Sequence, residues 1–343
     1  MKYKGINYDT GSNYREGRLS RENFDPVIVE KEIATICNEL NCNAIRISGY
    51  DLVRLVTASE IALRYGLTVF FSPLNINAGE QDTKEYILKG AKEAEALRVK
   101  YGRVVFVLGC ELSIFSRGFI KGDLTLDRLR RLFNPLSILL NQIKFKRKYN
   151  QRISSFMEAV VPGVREYFKG EITYASGTWE SIDWNLFDLV GIDHYRSSYN
   201  KTAYRDELKR YSVYNKPVAV LEFGCCCYKG AEDKGGAGWM IIDRSKGRPA
   251  LNGDYTRDET VQAEYLHELL DIFVEENIGG AFVFTFVQPS YIRREDPKYD
   301  LDMASYGIVA PSAEDKLSYK GMSWVPKRAF FMLAEYFHNI SVR

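Results

Sequence analysis

The chain has 343 residues, of which 45% are hydrophobic and 27% charged, proportions that are ordinary for a soluble globular protein. Its 47 basic and 45 acidic residues leave a net charge of +2, which argues against nucleic acid or an anionic membrane as the main partner. A chain of this length can bury a large core, in one domain or two.

The N-terminal segment, the lengths of the apolar runs and the cysteines bear on cellular location. The opening MKYKGINYDTG lacks a basic segment followed by an apolar one, and no apolar run approaches transmembrane length. Three of the six cysteines are consecutive, which makes a poor disulfide framework, so we expect a reduced cytoplasmic protein. The triplet Cys225 to Cys227 could bind a soft metal, but adjacent thiolates with only three histidines in the chain favour plain structural thiols.

Short apolar strands alternate with longer amphipathic helices, which predicts βαβ units and a parallel sheet. The predicted strands number eight, enough to close a (β/α)8 TIM barrel, and cover residues 4–8, 44–48, 67–72, 104–110, 171–175, 189–194, 218–222 and 281–286. We predict a single α/β domain over residues 1–343, with long loops after strands seven and eight.

The predicted helices lie between these strands, at 25–40, 52–65, 83–101, 205–213, 259–277 and 326–338. A further apolar-periodic stretch, 124–168, is too long for one helix. It should break near Asn134-Pro135 and near Pro162-Gly163, because proline removes a backbone donor and clashes with the preceding turn.

Two of the strands end in a glutamate. The apolar run 104–110 leads to Glu111, and the run 217–221 leads to Glu222. Simple alternation puts Glu111 on the face of Val107 and Glu222 on the face of Val220. An ionisable group at the end of a strand suited to full burial is costly unless it has a partner or a chemical role. The pattern therefore predicts one site with two carboxyl groups.

Tryptophans mark three of the segments that follow strands. Trp179 and Trp184 lie in 176–187, Trp239 lies in 225–258, and Trp324 lies in 287–325. Long segments in a compact domain are commonly lids or binding loops, and in a parallel barrel all strand-to-helix loops emerge on the catalytic face. These indole rings could stack on a substrate or simply anchor their loops.

Taken in order, these motifs resemble clan GH-A, the retaining (β/α)8 glycoside hydrolases. AIRIS places Arg46 where the clan often has an arginine, and GIDHY places His194 and Tyr195 at strand six, where a tyrosine commonly contacts the nucleophile. SYGIVAP followed by SWVPKRAFFMLAEYF is similar to the clan's closing pattern. The segments KGINYDTG, LNCNAIRISGYD, GLTVFFSPLN, VFVLGCELSIF and LEFGCC also resemble bacterial chains catalogued as abortive-infection-type proteins, a label that concerns phage resistance rather than chemistry.

The clan resemblance implies a carbohydrate or glycoside substrate and a retaining mechanism without metal or cofactor. Glu222 would be the nucleophile and Glu111 the acid/base, and either water or an acceptor hydroxyl would complete the reaction. Retaining enzymes hold two carboxyl groups about 5 to 5.5 Å apart, and the ends of strands four and seven lie across a barrel mouth. We expect the neighbouring negative charge to raise the pKa of Glu111 until Glu222 is esterified.

Substrate contacts are expected around these two residues. Arg46 and Tyr195 could hydrogen-bond Glu222. Most clan members have an asparagine before the acid/base, where it bonds the sugar 2-hydroxyl, but this chain has Cys110. Strand eight also ends in Phe-Thr-Phe where many members place a tryptophan. These departures predict a remodelled sugar site that could accept a furanoside or an unusual linkage, or favour transglycosylation.

Three further positions are candidates for substrate contact, and two of them, Asp9 and His194, are open to a second interpretation. Asn7 and Asp9 end strand one on the predicted site face, where Asp9 could bind sugar hydroxyls or serve a turn. His194 could contact substrate or pack at the strand end.

Two rival functions differ in class from a glycosidase. One is a catalytically inactive barrel that binds a carbohydrate, a nucleotide sugar or a protein partner in a defence pathway, a reading that Cys110 favours and the two intact glutamates oppose. The other, a metal-dependent hydrolase, is disfavoured because only one histidine lies at a predicted strand end.

Overall fold

The barrel predicted from the sequence is present in the computed structural model, which describes residues 1–14, 17–133, 135–245, 247–312 and 318–342. Parallel strands pair in sequence order, and the last closes against the first. The eight are β1 (Tyr3–Asp9), β2 (Ala44–Gly49), β3 (Thr68–Pro73), β4 (Val104–Cys110), β5 (Ile172–Gly177), β6 (Val190–Asp193), β7 (Val218–Phe223) and β8 (Gly280–Val283). The (β/α)8 fold and its single-domain organisation are thereby confirmed.

Helices cover the outside of the barrel, several of them begun by an aspartate whose side chain accepts hydrogen bonds from the first backbone N–H groups. Asp25, Asp51 and Asp258 do so for α1, α2 and α8. The α-helices are α1 (Pro26–Asn38), α2 (Leu52–Arg64), α3 (Glu80–Tyr101), α4 (Leu112–Phe115), α5 (Thr125–Leu132), α6 (Pro135–Tyr167), α7 (Tyr204–Lys209), α8 (Glu259–Glu275) and α9 (Arg328–Val342). In the described ranges, no helix is both long enough and apolar enough to cross a bilayer.

The long stretch 124–168 breaks once rather than twice. Asn134 lies outside the described residues, and α6 begins at Pro135. The predicted break at Pro162 is wrong, because α6 continues through it to Tyr167. Val160 and Val164 are buried on either side of the proline, and Gly163 brings the helix backbone close to Leu88 of α3. Packing on both sides of the proline outweighs the one backbone hydrogen bond that it removes.

Both glutamate-bearing strands contain one extra residue just before the glutamate. On β4, Val107 and Cys110 pair with Thr173 and Ala175 of β5, so three steps along β4 match two along β5. On β7, the register shifts in the same way around Leu221. Such β-bulges turn side chains to a different face and are frequent beside active sites.

The two bulges change the faces that simple alternation predicts. Ala219 and Leu221 point into the barrel core, whereas Val220 packs in the outer layer between the strands and the helices. Glu222 therefore does not share a face with Val220, as strict alternation would require.

Long loops after β7 and β8 confirm the predicted arrangement. The first contains a short helix at Gly235–Ile241 and a ribbon of Ile242–Asp243 with Ala250–Leu251, and the second a ribbon of Val309–Pro311 with Trp324–Pro326. A buried ionic network joins the two loops, with Asp302 contacting Lys327 Nζ at 3.2 Å and Arg257 Nη2 at 2.8 Å. Cys227 donates its thiol to the Asp302 carbonyl at 3.1 Å.

Candidate active site

Glu222 lies at the barrel mouth, held by one side chain from β2 and one from the loop that follows β6. Its Oε1 is 2.9 Å from Arg46 Nη1, and its Oε2 accepts a hydrogen bond from the Tyr195 hydroxyl at 3.3 Å. Arg46 is fully buried, whereas the Glu222 side chain keeps 16% of its surface exposed. The carboxylate is therefore oriented from below by a guanidinium and remains reachable from the mouth.

Asp193, which ends β6, is a third acidic group in this centre, and sequence reasoning missed it. Its Oδ1 is 3.5 Å from Arg46 Nη1, and its Oδ2 accepts a hydrogen bond from the Cys110 thiol at 3.3 Å. Burial raises the pKa of Asp193, and the charge of Glu222 raises it further, while Arg46 acts in the opposite direction. The motif GIDHY contained the signal, since a carboxylate inside an otherwise apolar strand needs a partner.

Cys110 occupies the floor between the acidic groups. Its Sγ is 3.3 Å from Asp193 Oδ2 and 3.7 Å from Glu222 Oε1. Burial and these two carboxyl groups raise the pKa of the Cys110 thiol well above its usual value, so it is a neutral hydrogen-bond donor at physiological pH.

The same three residues form the one group of metal-ligating side chains whose donor atoms converge in the described part of the chain, all within 4.8 Å of one another. Arg46 already places a positive charge beside Glu222 and Asp193. A cation bound there would be repelled by the guanidinium at close range. The donor set thus has metal-like spacing, but the protein supplies the counter-charge itself.

Glu111 has a strained backbone and an electrostatically unfavourable environment for its charge. It immediately precedes α4 and has φ 41° and ψ 50°, a left-handed conformation that costs a non-glycine residue free energy and recurs at functional sites. Its N–H donates to the Ala175 carbonyl at 2.8 Å. Burial raises the pKa of Glu111 well above its usual value, and Asp193, Glu222 and Glu180 raise it further.

A buried network fixes the chain directly after Glu111. Glu180 Oε1 accepts from the Ser113 N–H at 2.9 Å, and its Oε2 accepts from the Tyr174 hydroxyl at 2.8 Å. The Tyr174 oxygen in turn accepts from the Leu112 N–H at 2.7 Å. Glu180 and Tyr174 thereby each satisfy one free N–H group at the start of α4, and together they stabilise the left-handed turn at Glu111. No sequence signal distinguished Glu180 from an ordinary loop acid.

Two of the four tryptophans anchor loops. Trp184 is buried, and Trp324 is buried with its indole N–H donating to Glu32 at 3.1 Å. Trp179 is half-buried, donates to Ser113 Oγ at 2.9 Å and so lies near the start of α4. Trp239 is half-buried in the short helix 235–241, whose Gly236 lies against the Tyr195 ring. Only Trp179 and Trp239 therefore remain near the site, and their contact with substrate stays a prediction.

Asn7 and Asp9 lie in the scaffold beneath and beside the centre. The Asn7 amide donates to the carbonyls of Leu221 at 2.8 Å and Phe282 at 3.2 Å, which ties β1 to β7 and β8. Asp9 Oδ1 accepts from the Gly11 N–H at 3.1 Å and also bonds the side chains of the following turn. The turn interpretation of Asp9 accounts for its contacts.

Tyr14 is a further aromatic residue at the mouth that sequence reasoning missed. Its ring meets Phe115 edge to face, with centroids 5.8 Å apart. Its pKa is raised by loss of water around the hydroxyl, and also by the charges of Glu222, Asp9 and Glu111. Although about half of the side chain is exposed, its hydroxyl is close enough to the two glutamates to sense their charge.

His194 faces away from the glutamates. Its ring stacks on Tyr204 with centroids 4.2 Å apart, and within the described residues neither ring nitrogen has a hydrogen-bond partner. Burial lowers the pKa of His194 to about 4, so the ring is neutral at physiological pH and forms no ion pair with the nearby Glu207.

This burial predicts an acid-dependent loss of stability. The unfolded chain takes up a proton on His194 near pH 6.5, whereas the folded chain does so only near pH 4, so acidification across this window favours unfolding. Between pH 7 and pH 4, the free energy of unfolding of the wild type should fall by about 3 kcal/mol more than that of His194→Phe, which keeps an aromatic ring against Tyr204. Urea denaturation at both pH values measures the difference. Equal pH slopes in the two proteins would contradict a neutral buried imidazole.

Comparisons with known proteins concern the fold. Neither the protein-family models nor the curated proteins match the sequence, so the resemblance to abortive-infection-type chains stays a prediction. Among solved structures, a GH113 beta-1,4-mannanase complex is 13% identical with a TM-score of 0.61, covering 98% of this chain and 99% of that one. The GH113 beta-mannanase AaManA from Alicyclobacillus acidocaldarius, in complex with ManMIm, is 12% identical with a TM-score of 0.59, covering 98% and 97%.

A third similar structure is the hyperthermostable endo-1,4-beta-D-mannanase from Thermotoga petrophila RKU-1, 10% identical with a TM-score of 0.54, covering 99% of this chain and all of that one. At these identities the likeness establishes architecture and not activity. The chain thus shares a (β/α)8 barrel with these structural neighbours over nearly its whole length.

Proposed function

We propose that this chain is a retaining glycoside hydrolase or transglycosidase, with Glu222 as nucleophile and Glu111 as acid/base. The observation that carries the proposal is the contrast between two neighbouring carboxyl groups. The Glu222 carboxylate is 2.9 Å from the Arg46 guanidinium and accepts a hydrogen bond from the Tyr195 hydroxyl at 3.3 Å. The pKa of Glu111, by contrast, is raised by burial and by surrounding acidic groups. Two carboxyl groups whose environments differ in this way suit the two roles of a retaining mechanism.

The first step uses the groups as they stand. A Glu222 oxygen attacks the anomeric carbon while Glu111 donates its proton to the departing glycosidic oxygen, which leaves as an alcohol. A glycosyl ester forms on Glu222, and its negative charge disappears. Arg46 stays in place and is then free to interact more strongly with Asp193, 3.5 Å away.

Loss of the Glu222 charge prepares the second step. The negative charge of Glu222 is one of the causes of the raised pKa of Glu111, so esterification of Glu222 lowers that pKa. Glu111 then ionises more readily and can act as a base. Glu111 then takes a proton from water or from an acceptor hydroxyl, whose oxygen displaces Glu222 from the anomeric carbon with net retention.

The substrate class that follows is a carbohydrate or glycoside. Similar structures are named as mannanases, which supports a polysaccharide or oligosaccharide of that kind as a first candidate. Cys110 presents a thiol already engaged with Asp193 on the floor of the site, where many clan members have an amide. We expect this change to alter recognition at the sugar 2-position.

Trapping of the glycosyl ester tests the proposal. Wild-type protein incubated with a panel of activated 2-deoxy-2-fluoro-glycosides should gain the mass of one glycosyl group, measured on the intact protein, and Glu222→Gln should gain none. Glu264→Gln, a change at an exposed position on α8, is the matched control and should label like the wild type.

Labelling that persists in Glu222→Gln would reject the assignment of the nucleophile. Absence of an adduct with 2-fluoro, furanosyl and unsubstituted activated donors alike would favour the alternative of a binding barrel without catalysis.

A further inference from the structure

The near-neutral charge of the whole chain conceals a strongly basic segment. Residues 117–152, between β4 and β5, hold ten of the 47 lysines and arginines but only two of the 45 acidic residues. This segment is therefore strongly positive, while the rest of the chain is net negative. One of its two acids, Asp127, is used to accept from the Leu124 N–H at the start of α5. Lys146, Arg147 and Lys148 are exposed on α6.

The same segment exposes large apolar side chains. Leu124 and Leu126 are 58% and 48% exposed, and Phe133 at the other end of α5 is 51% exposed. Leu126, Arg130 and Phe133 are spaced by four and three residues, so they follow one stripe of the helix. Apolar and basic side chains alternate along it. Apolar residues interleaved with cations are typical of helices that lie in a membrane interface.

This surface is attached rigidly beside the candidate site. Arg128 of α5 has a buried side chain, which donates to the carbonyls of Ile114 at 2.6 Å and Gly122 at 2.7 Å. Ile114 belongs to α4, the helix that begins directly after Glu111. Phe133 packs against Trp179, with ring centroids 5.5 Å apart. The basic, apolar surface of α5 is thus part of the rim of the barrel mouth.

We propose that this rim docks onto an anionic lipid surface. Leu124, Leu126 and Phe133 would enter the boundary between headgroups and acyl chains, and the surrounding lysines and arginines would contact the lipid phosphates. This proposal departs from the expectation that no anionic membrane is a partner, because that expectation rests on a net charge averaged over the whole chain. Resting on the proposed function, this docking makes the substrate a glycoside carried by, or lying on, a membrane.

Vesicle binding by the full chain tests the docking without any glycosidase substrate. Wild-type protein should co-sediment with vesicles of phosphatidylcholine and phosphatidylglycerol at least about tenfold more than with phosphatidylcholine alone. The double variant Leu124→Asp, Leu126→Asp should bind the mixed vesicles about tenfold less. It should remain folded, since aspartate is a favourable residue at a helix N-cap. Its turnover of a soluble activated glycoside should be unchanged.

The matched control makes the same chemical change elsewhere. Val27 and Val53, 61% and 75% exposed in the first turns of α1 and α2, are replaced by aspartate in one double variant, which should bind vesicles like the wild type. If both double variants lost vesicle binding equally, the loss would come from the change in overall charge, and the proposed docking surface would be rejected. Failure of the wild type to bind mixed vesicles would also overturn it.

Duplex DNA provides the remaining discrimination. Membrane docking would be rejected if DNA competed with vesicles for the wild-type protein and the double variant Leu124→Asp, Leu126→Asp bound vesicles as well as the wild type does. The contact would then be one with polyanions in general. Vesicle binding without any glycosyl-enzyme adduct would reject the proposed catalysis but leave the docking surface standing, so the two failures are separable.

Discussion

Replacement of Glu222 by alanine is expected to lower kcat by about 10⁴-fold or more, because the variant can no longer form the glycosyl ester. Arg46 and Tyr195 would then face a small cavity in place of a carboxylate. Azide should restore part of the rate by entering this space and attacking the anomeric carbon directly. Since this attack is a single displacement, the glycosyl azide should have the configuration opposite to that of the substrate.

The corresponding change at Glu111 should behave differently. Glu111→Ala lacks the proton donor but retains the nucleophile, so substrates whose leaving groups need no protonation should still form the ester. Azide should then attack the glycosyl-enzyme, and the product should keep the configuration of the substrate. Nuclear magnetic resonance of the two azide products measures the outcome. If the Glu222 variant gave the retained azide product and the Glu111 variant the inverted one, the roles of nucleophile and acid/base would be exchanged. If azide restored activity in neither variant, the result would argue against both assignments.

The Glu111→Ala variant carries its own structural control. Glu111 adopts a left-handed backbone that alanine tolerates poorly, so part of any loss could come from a displaced α4. Glu111→Gln retains the shape of the side chain and should give the same azide product as the alanine variant. If only the alanine variant showed altered chemistry, the effect would be one of local structure.

Sequence alone was sufficient for the barrel, because apolar periodicity is a local property. It also predicted that Glu111 and Glu222 lie at the ends of strands, as they do, while their catalytic roles stay a prediction. It could not supply the bulges on β4 and β7, which depend on pairing with β5, β6 and β8. Alternation therefore assigned Val220 and Glu222 to one face, although Leu221 is the extra residue that separates them. The error concerns register, which no single strand determines.

The remaining differences have the same origin in tertiary contacts. Asp193 joins the site because the barrel brings its strand beside Arg46, and Glu180 supports α4 from a loop that the sequence marks only by its tryptophan neighbour. Asn7 has the right position on β1, yet its amide is consumed by backbone carbonyls. Helix α6 passes Pro162 because buried packing supports it. Each depends on partners more than six residues away in sequence.

Asp193 gives the second large expected effect, on the pH dependence of catalysis. Burial is the largest cause of the raised pKa of Glu111, and the charge of the Asp193 carboxyl group is the next largest. Asp193 also shares Arg46 with Glu222. In the free enzyme Glu111 must be protonated to act, so activity is lost as the pH rises through its pKa. Over the pH range in which Asp193 is ionised, replacing it with asparagine removes a negative charge and lowers the pKa of Glu111. Loss of activity should therefore begin at lower pH.

The measurement is the pH profile of kcat/KM, which reports ionisations of the free enzyme. Its alkaline limb should move to lower pH by on the order of one unit in Asp193→Asn, the size expected for one neighbouring charge. Asp206→Asn, a change at a residue on α7 whose side chain is 82% exposed, should leave the profile unshifted. A uniform fall in kcat/KM with an unmoved alkaline limb would show that Asp193 acts by packing or by holding Cys110. A shift of the alkaline limb to higher pH would mean that the substitution raises the pKa of Glu111, because Arg46, once released from Asp193, no longer lowers it. The electrostatic role assigned to Asp193 would then be wrong.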